Sequence, residues 1–332
     1  MADSDPVMPL VRDNHDGQPR RVGVEIELSG LGYAALVHIV AQALQATARE
    51  ESRYESVIDS DDGPFKVELD SKQVKDFAPD TGVLPAPLAE VTDAALQLLD
   101  ATAEKIVPLE IVSPPLPLEA LPKVETLCQT LRDAGGLGSR HALHYAFGLQ
   151  LNPELPGLDA DTLLAYLRAF ALSYPWLKHR HQLDISRKFT PYIDAWPEDY
   201  VRLILADDYR PDLDRLITDY LHHNPTRNRA LDMMPLFAHL DEPRIRNEID
   251  DDRIKPRPTL HYRLPDCDID NPDWSFSQVW NDWVRVDTLA CEPDRLKDMM
   301  AAWHARQPLS LDRLLMDWTE ESAAWLTLPK TS

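Results

Sequence analysis

Arg21-Val22-Gly23-Val24-Glu25-Ile26-Glu27-Leu28 alternates strictly, with Val22, Val24, Ile26 and Leu28 interleaved by Gly23, Glu25 and Glu27. That is the period-two pattern of a strand with one face against a core. The opposite face carries two carboxylates about 7 Å apart, from a rise of roughly 3.3 Å per residue. Gly23, on the acidic face, leaves room for a close approach to the backbone. Neighbouring like charges on a sheet repel, so the pair needs water or a cation beside it.

Other stretches repeat the habit. Tyr54 to Ile58 and Phe65 to Asp70 flank Asp59-Ser60-Asp61-Asp62-Gly63, which reads as a hairpin turn. Its glycine falls one place early for an EF-hand calcium loop. On the second arm Lys66, Glu68 and Asp70 share a face, opposite Val67 and Leu69. Glu110 opposes Leu109 and Ile111 in a strand stopped by Pro114-Pro115. His144, Gly148, Gln150 and Asn152 share parity against Leu149 and Leu151, and His261 and Arg263 oppose Leu260, Tyr262 and Leu264.

Between the strands, helical periodicity runs from Leu36 to about Glu51, over Pro87–Ile106, and over Leu118–Asp133, which Gly135-Gly136 ends. It continues through most of Asp159–Asn224, with breaks expected near Pro175, Pro191 and Pro211, and from Trp274 to Leu326. Interleaved hairpins and late helices predict an α+β fold. Its mainly antiparallel sheet should be curved, with helices packed on one side and a helical C-terminal segment. The expected organisation is a flexible leader (1–20), a catalytic domain (21–270) and a helical, tryptophan-rich extension (271–332) packed on it. Trp280 and Trp283, at helical spacing, read as core.

The 332 residues carry 56 acidic against 34 basic side chains, a net charge of -22. Such a balance disfavours nucleic acid or an anionic membrane as partner. Cys128, Cys267 and Cys291 form no CxxC pair and read as free thiols of a cytoplasmic protein. No apolar run approaches the ~20 residues of a membrane span.

Five strands with polar faces imply a polar cavity lined mostly by oxygen donors, the set preferred by Mg²⁺ or Mn²⁺. The candidate ligands are Glu25, Glu27, Glu68, Asp70, Glu110, Gln150, Asn152 and His261. Cations come from Lys66, Arg263 and the Asn224-Pro225-Thr226-Arg227-Asn228-Arg229 segment. Carboxylate-held metal beside arginines is what phosphoryl transfer requires, because charge develops on several phosphate oxygens at once.

Val22-Gly23-Val24-Glu25-Ile26-Glu27-Leu28 and Glu110-Ile111-Val112-Ser113-Pro114-Pro115-Leu116 resemble the two signature stretches of the amidoligase family, within the glutamine synthetase and glutamate–cysteine ligase superfamily. The likeness extends through Phe147-Gly148-Leu149-Gln150-Leu151-Asn152 and His261-Tyr262-Arg263-Leu264-Pro265. It implies a glutamine synthetase-like fold and an ATP- and Mg²⁺-dependent carboxylate–amine ligase acting on an amino-acid or peptide carboxylate. Glu25 and Glu27 would ligate metal, with Glu110 and either Glu68 or Asp70. Arg263 would face phosphate or the carboxyl substrate, and Glu25, Arg263 and Arg229 would contact ATP. Lys66, Arg227, Arg229 and Arg263 complete the expected catalytic set. This chain departs from the family where relatives carry an HxH strand, having Gln150 and Asn152, and where they carry glutamate, having His261. A non-catalytic ligase-fold protein binding nucleotide or amino acid, and a metal-dependent hydrolase, are the alternative readings.

Overall fold

The computed structural model describes residues 5–69, 109–141, 147–181, 193–306 and 318–329. Asp70, His144, Pro191 and the helix expected over Pro87–Ile106 lie outside the described residues.

The alternating run forms β1 (Arg21–Leu28), and its four aliphatic side chains are at most 2% exposed. Burying each contributes about 1.5–3 kcal/mol, which holds the register against a one-residue slip that would bring the glutamates inward. β1 lies between β5 (Leu109–Val112) and β7 (Leu149–Pro153), with the short β6 (Leu116–Pro117) on its first residues. Outside β5 stands the expected hairpin, β3 (Glu55–Ser60) and β4 (Gly63–Leu69), which turns on Asp61-Asp62. Outside β7 stand two-residue strands, β9 (His261–Tyr262) and β8 (Leu231–Asp232). With β2 (Thr47–Ser52) the order is β2-β3-β4-β5-β1-β7-β9-β8, and every pairing between these strands is antiparallel. The fold is mixed α+β with an open sheet.

β2 corrects the sequence expectation, which ran a helix to about Glu51. The helix α1 (Tyr33–Ala43) stops earlier, and Gln45 takes a left-handed φ of 52°. All six β2 residues are exposed. They bury no apolar stripe, so no periodicity marks them; backbone pairing with β3 makes them a strand.

Pro175 is a second correction. It lies inside α3 (Ala160–Arg180), two helices after α1, instead of breaking the chain. An interior proline costs about 3 kcal/mol. Burial of Leu163, Leu167, Phe170, Leu172 and Leu177 along the same helix outweighs that cost.

Between them, α2 (Leu121–Asp133) ends as its glycines predict: Gly135 has φ +94°, and Gly136 N–H reaches back to the Leu131 carbonyl at 2.9 Å. Gly138 has a different reason. A Cβ there would stand 2.3 Å from the Cys267 carbonyl oxygen and 2.8 Å from the Ile269 nitrogen. Gly138→Ala should therefore lower stability by about 1–3 kcal/mol, seen as a lower urea midpoint at unchanged slope.

Further helices among the described residues include α4 (Glu198–Leu205), α5 (Leu213–His223), α6 (Met234–Leu240), α7 (Glu242–Glu248), α8 (Phe276–Ala290) and α9 (Pro293–Ala305). Side chains from α1, α2, α3 and α8 join the aliphatic face of β1 in one hydrophobic cluster. Trp280 and Trp283 are core, as read, each 1% exposed. The described part of the leader is anchored to α8. Val7 N–H donates to Asn281 Oδ1 at 2.8 Å, and Trp280 Nε1 donates to the Val7 carbonyl at 2.8 Å. The three cysteines are free. Among the described residues, no helix is long and apolar enough to cross a membrane.

Candidate functional site

Opposite the aliphatic face, the register brings polar side chains together from strands far apart in sequence. Glu55, Glu68, Glu110 and Glu27 stand directly opposite one another across β3, β4, β5 and β1. Four carboxylates in one cross-strand row repel. Lys66 offsets the outer end, with Nζ 2.8 Å from Glu55 and 3.1 Å from Glu68. Burial works against its ammonium, but the hydrogen bonds to those two carboxylates outweigh it and hold its pKa above the usual value. Lys66 thus serves the rim of the row, away from Glu27.

The inner half is built from β1, β7, β9 and β8. Glu27 accepts from Gly148 N–H on one oxygen and from Gln150 Nε2 on the other, both at 2.7 Å. Glu25 accepts from Asn152 Nδ2 at 2.8 Å, with Arg257 Nη1 at 3.8 Å and His261 Nε2 at 3.9 Å. Gly23 faces Asn152 in the register, and a Cβ there would meet the Asn152 Cβ at 3.3 Å. The close approach foreseen at this glycine is made by Asn152.

A carboxylate only accepts, so Gln150 turns its NH₂ to Glu27 and its oxygen to His261 Nε2, 2.7 Å away. His261 must then carry its proton on Nε2, which leaves Nδ1 as an acceptor. Nδ1 faces Asp232 Oδ2 at 3.6 Å, and neither atom has a hydrogen-bond partner. Two acceptors facing each other in the interior call for a proton. Burial pushes the Asp232 carboxyl up to about 6, against the Met234 N–H and the charges of Arg263, Arg227 and Arg257. Burial and the same arginines hold His261 well below its ordinary value. Of the two, Asp232 is therefore the group that takes up a proton first as pH falls through about 6.

The sign follows from an unfolded aspartate pKa of about 3.9. The contribution of Asp232 to stability is full below about pH 4 and is lost as pH rises through about 6. Asp232→Asn should gain stability relative to the parent between those limits. Urea midpoints at each pH test it; a constant difference would refute it.

Arg263, 8% exposed, donates from Nη1 to the Arg227 carbonyl at 2.8 Å. Burial, and then the neighbouring charge of Arg263, depresses the pKa of Arg227. Arg257 closes the group from the Glu25 side. Arg229 does not join it: its guanidinium donates to the carbonyls of Ala195 and His223. Sequence reading missed Arg257 and Asp232. Arg257 sits in a non-periodic Pro256-Arg257-Pro258 segment, and Asp232 in a strand of two residues. The flanking prolines, which fix the backbone around one cation, were the only local signal.

Asn152 Oδ1, Arg263 Nε and Arg257 Nε are also buried without partners. Native interiors pair such atoms; others lie elsewhere in the molecule, but these, with those of His261 and Asp232, meet beside Glu25 and Glu27, where a polar ligand could pair them. The carboxylate row has the donor type of a hard divalent cation site. It is not drawn into a closed cluster: among the described residues, no group of three or more His, Cys, Asp or Glu is arranged to hold a metal ion.

Comparison with protein families matches residues 18–285 to a family described as putative amidoligase enzyme. No curated protein and no solved structure matches the chain.

Proposed function

The chain belongs to the amidoligase family, membership that points to a ligase-type enzyme, and we propose that it is an ATP- and Mg²⁺-dependent carboxylate–amine ligase with a glutamine synthetase-like fold. The observation that carries this reading is the meeting of an oxygen-donor row on one sheet face with the buried Arg263 and the half-buried Arg227 and Arg257. The substrate carboxylate attacks the terminal phosphorus of ATP, ADP leaves, and the resulting acyl phosphate is attacked by an amine. Phosphate departs, and the amine proton goes to solvent.

Mg²⁺ would be held by Glu27, Glu110, Glu68 and Glu25, and supplies charge neutralisation and orientation of the triphosphate. Arg263, held by the Arg227 carbonyl, would face the developing negative charge with little reorganisation, and the charge of Arg227 would add to it. Arg257, 3.8 Å from Glu25, would hold the carboxylate of an amino acid or peptide. Lys66 bridges the outer glutamates and offsets their repulsion.

Purified protein incubated with ATP, Mg²⁺ and a panel of amino acids and peptides should release ADP and phosphate only when carboxylate and amine are both present. Absence of nucleotide and metal binding would overturn the reading. One observation favours a second reading, a ligase-fold binding protein: Gln150, Asn152 and His261 are committed to hydrogen bonds. That reading predicts binding without turnover.

A further inference from the structure

We propose that Gln150, Asn152 and His261 are positioning residues, which hold the Glu27 and Glu25 carboxylates in place through their N–H groups. A divalent cation on this face is then ligated by carboxylates of β1, β4 and β5, and by no side chain of β7 or β9. The assignment rests on the ligase reading for the presence of the cation, and on the hydrogen-bond geometry for everything else.

The direction of each amide is forced. Gln150 is 8% exposed and His261 1% exposed, so neither reaches bulk water for a substitute partner. Both Glu27 oxygens already receive a donor, from Gly148 and Gln150. Turning Gln150 over, to offer its oxygen to a cation near Glu27, would set that oxygen against a carboxylate. It would also set NH₂ against the Nε2–H of His261. Each buried group left unsatisfied by such a turn is penalised.

Asn152 is held in the same sense. Its Nδ2 lies 2.8 Å from Glu25, so the turned amide would place oxygen against oxygen at that distance, and its unpartnered Oδ1 is left to accept from an N–H or O–H of a bound substrate. His261 has its Nε2 proton on Gln150 and aims Nδ1 at Asp232, which leaves no lone pair directed at the glutamates. The chain His261–Gln150–Glu27 thus runs donor to acceptor in one direction and ends on the carboxylate. Fixing a ligating carboxylate by an outer hydrogen bond is a recognised way of tuning a metal site.

Two measurements test this in the intact chain. In ¹⁵N-histidine-labelled protein His261 should appear as the Nε2–H tautomer and keep that proton at Mg²⁺ saturation. In calorimetric titration with Mn²⁺, Gln150→Met should weaken binding about 10–100-fold with the number of ions unchanged. Loss of one whole equivalent of Mn²⁺ in Gln150→Met or Asn152→Leu, or loss of the His261 Nε2 proton on adding Mg²⁺, would overturn the assignment. If the parent protein binds no Mn²⁺, the ligase reading falls by itself and the tautomer decides the positioning role. Nε2–H then upholds the hydrogen-bond chain, and Nδ1–H ends it. The same spectrum serves if the variants fail to fold.

Discussion

Arg263→Met should lower turnover on the order of 10³-fold, equivalent to about 4 kcal/mol of barrier, while leaving the protein about as stable as before. Both halves follow from its surroundings. The guanidinium is 8% exposed, anchored by one bond to the Arg227 carbonyl, and its Nε is without a partner. Burying that charge costs the fold, and the Asp232 carboxyl offsets only part of the cost, so its removal leaves stability near the parental value while removing the anion-facing group. Arg263→Lys should recover only part of the rate, since an ammonium keeps the charge but not the planar fork. Arg229→Met should stay close to the parent, because that side chain is bonded to Ala195 and His223 carbonyls instead. Steady-state kcat with ATP, read beside melting curves, separates the cases. An Arg263→Met enzyme at parental rate would remove the phosphate-facing role.

The largest loss of stability should come from Asp287→Ala, about 3–5 kcal/mol. Asp287 takes a two-pronged contact from Arg20, with Nη2 at 2.6 Å and Nη1 at 3.3 Å, and a third hydrogen bond from Tyr166 Oη at 2.6 Å. Arg20 also donates to the carbonyls of Val11 and Glu154. The pair therefore ties the leader, the start of β1, the end of β7 and α8 at one point. Its removal strands a guanidinium 3% exposed and a hydroxyl 1% exposed. Burial acts against the Arg20 charge and Asp287 more than restores it, which holds the guanidinium above its ordinary pKa. Asp287→Asn, which keeps an acceptor but loses the charge, should lie between. Urea denaturation at neutral pH measures all three proteins; equal midpoints would show that the pair contributes nothing net.

Sequence alone determined those features whose cause lies within a few residues. Alternation placed the aliphatic and acidic faces of β1, Asp61-Asp62 closed the hairpin, and Gly135-Gly136 ended α2. The same parity rule put Glu68, Glu110, Gln150, Asn152, His261 and Arg263 on polar faces before any contact was known. It misjudged β2 and Pro175, because an exposed edge strand has no apolar period and a buried helix can override a local breaker. Only the tertiary structure could decide which way the Gln150 amide turns, since its partners lie 123 and 111 positions away. It alone brought Arg257 to Glu25, set Asp232 against His261 and turned Arg229 aside. Backbone periodicity tells which side of the sheet a residue occupies. Hydrogen-bond direction, and the charge state that follows from it, arises between chains of atoms that meet only after folding.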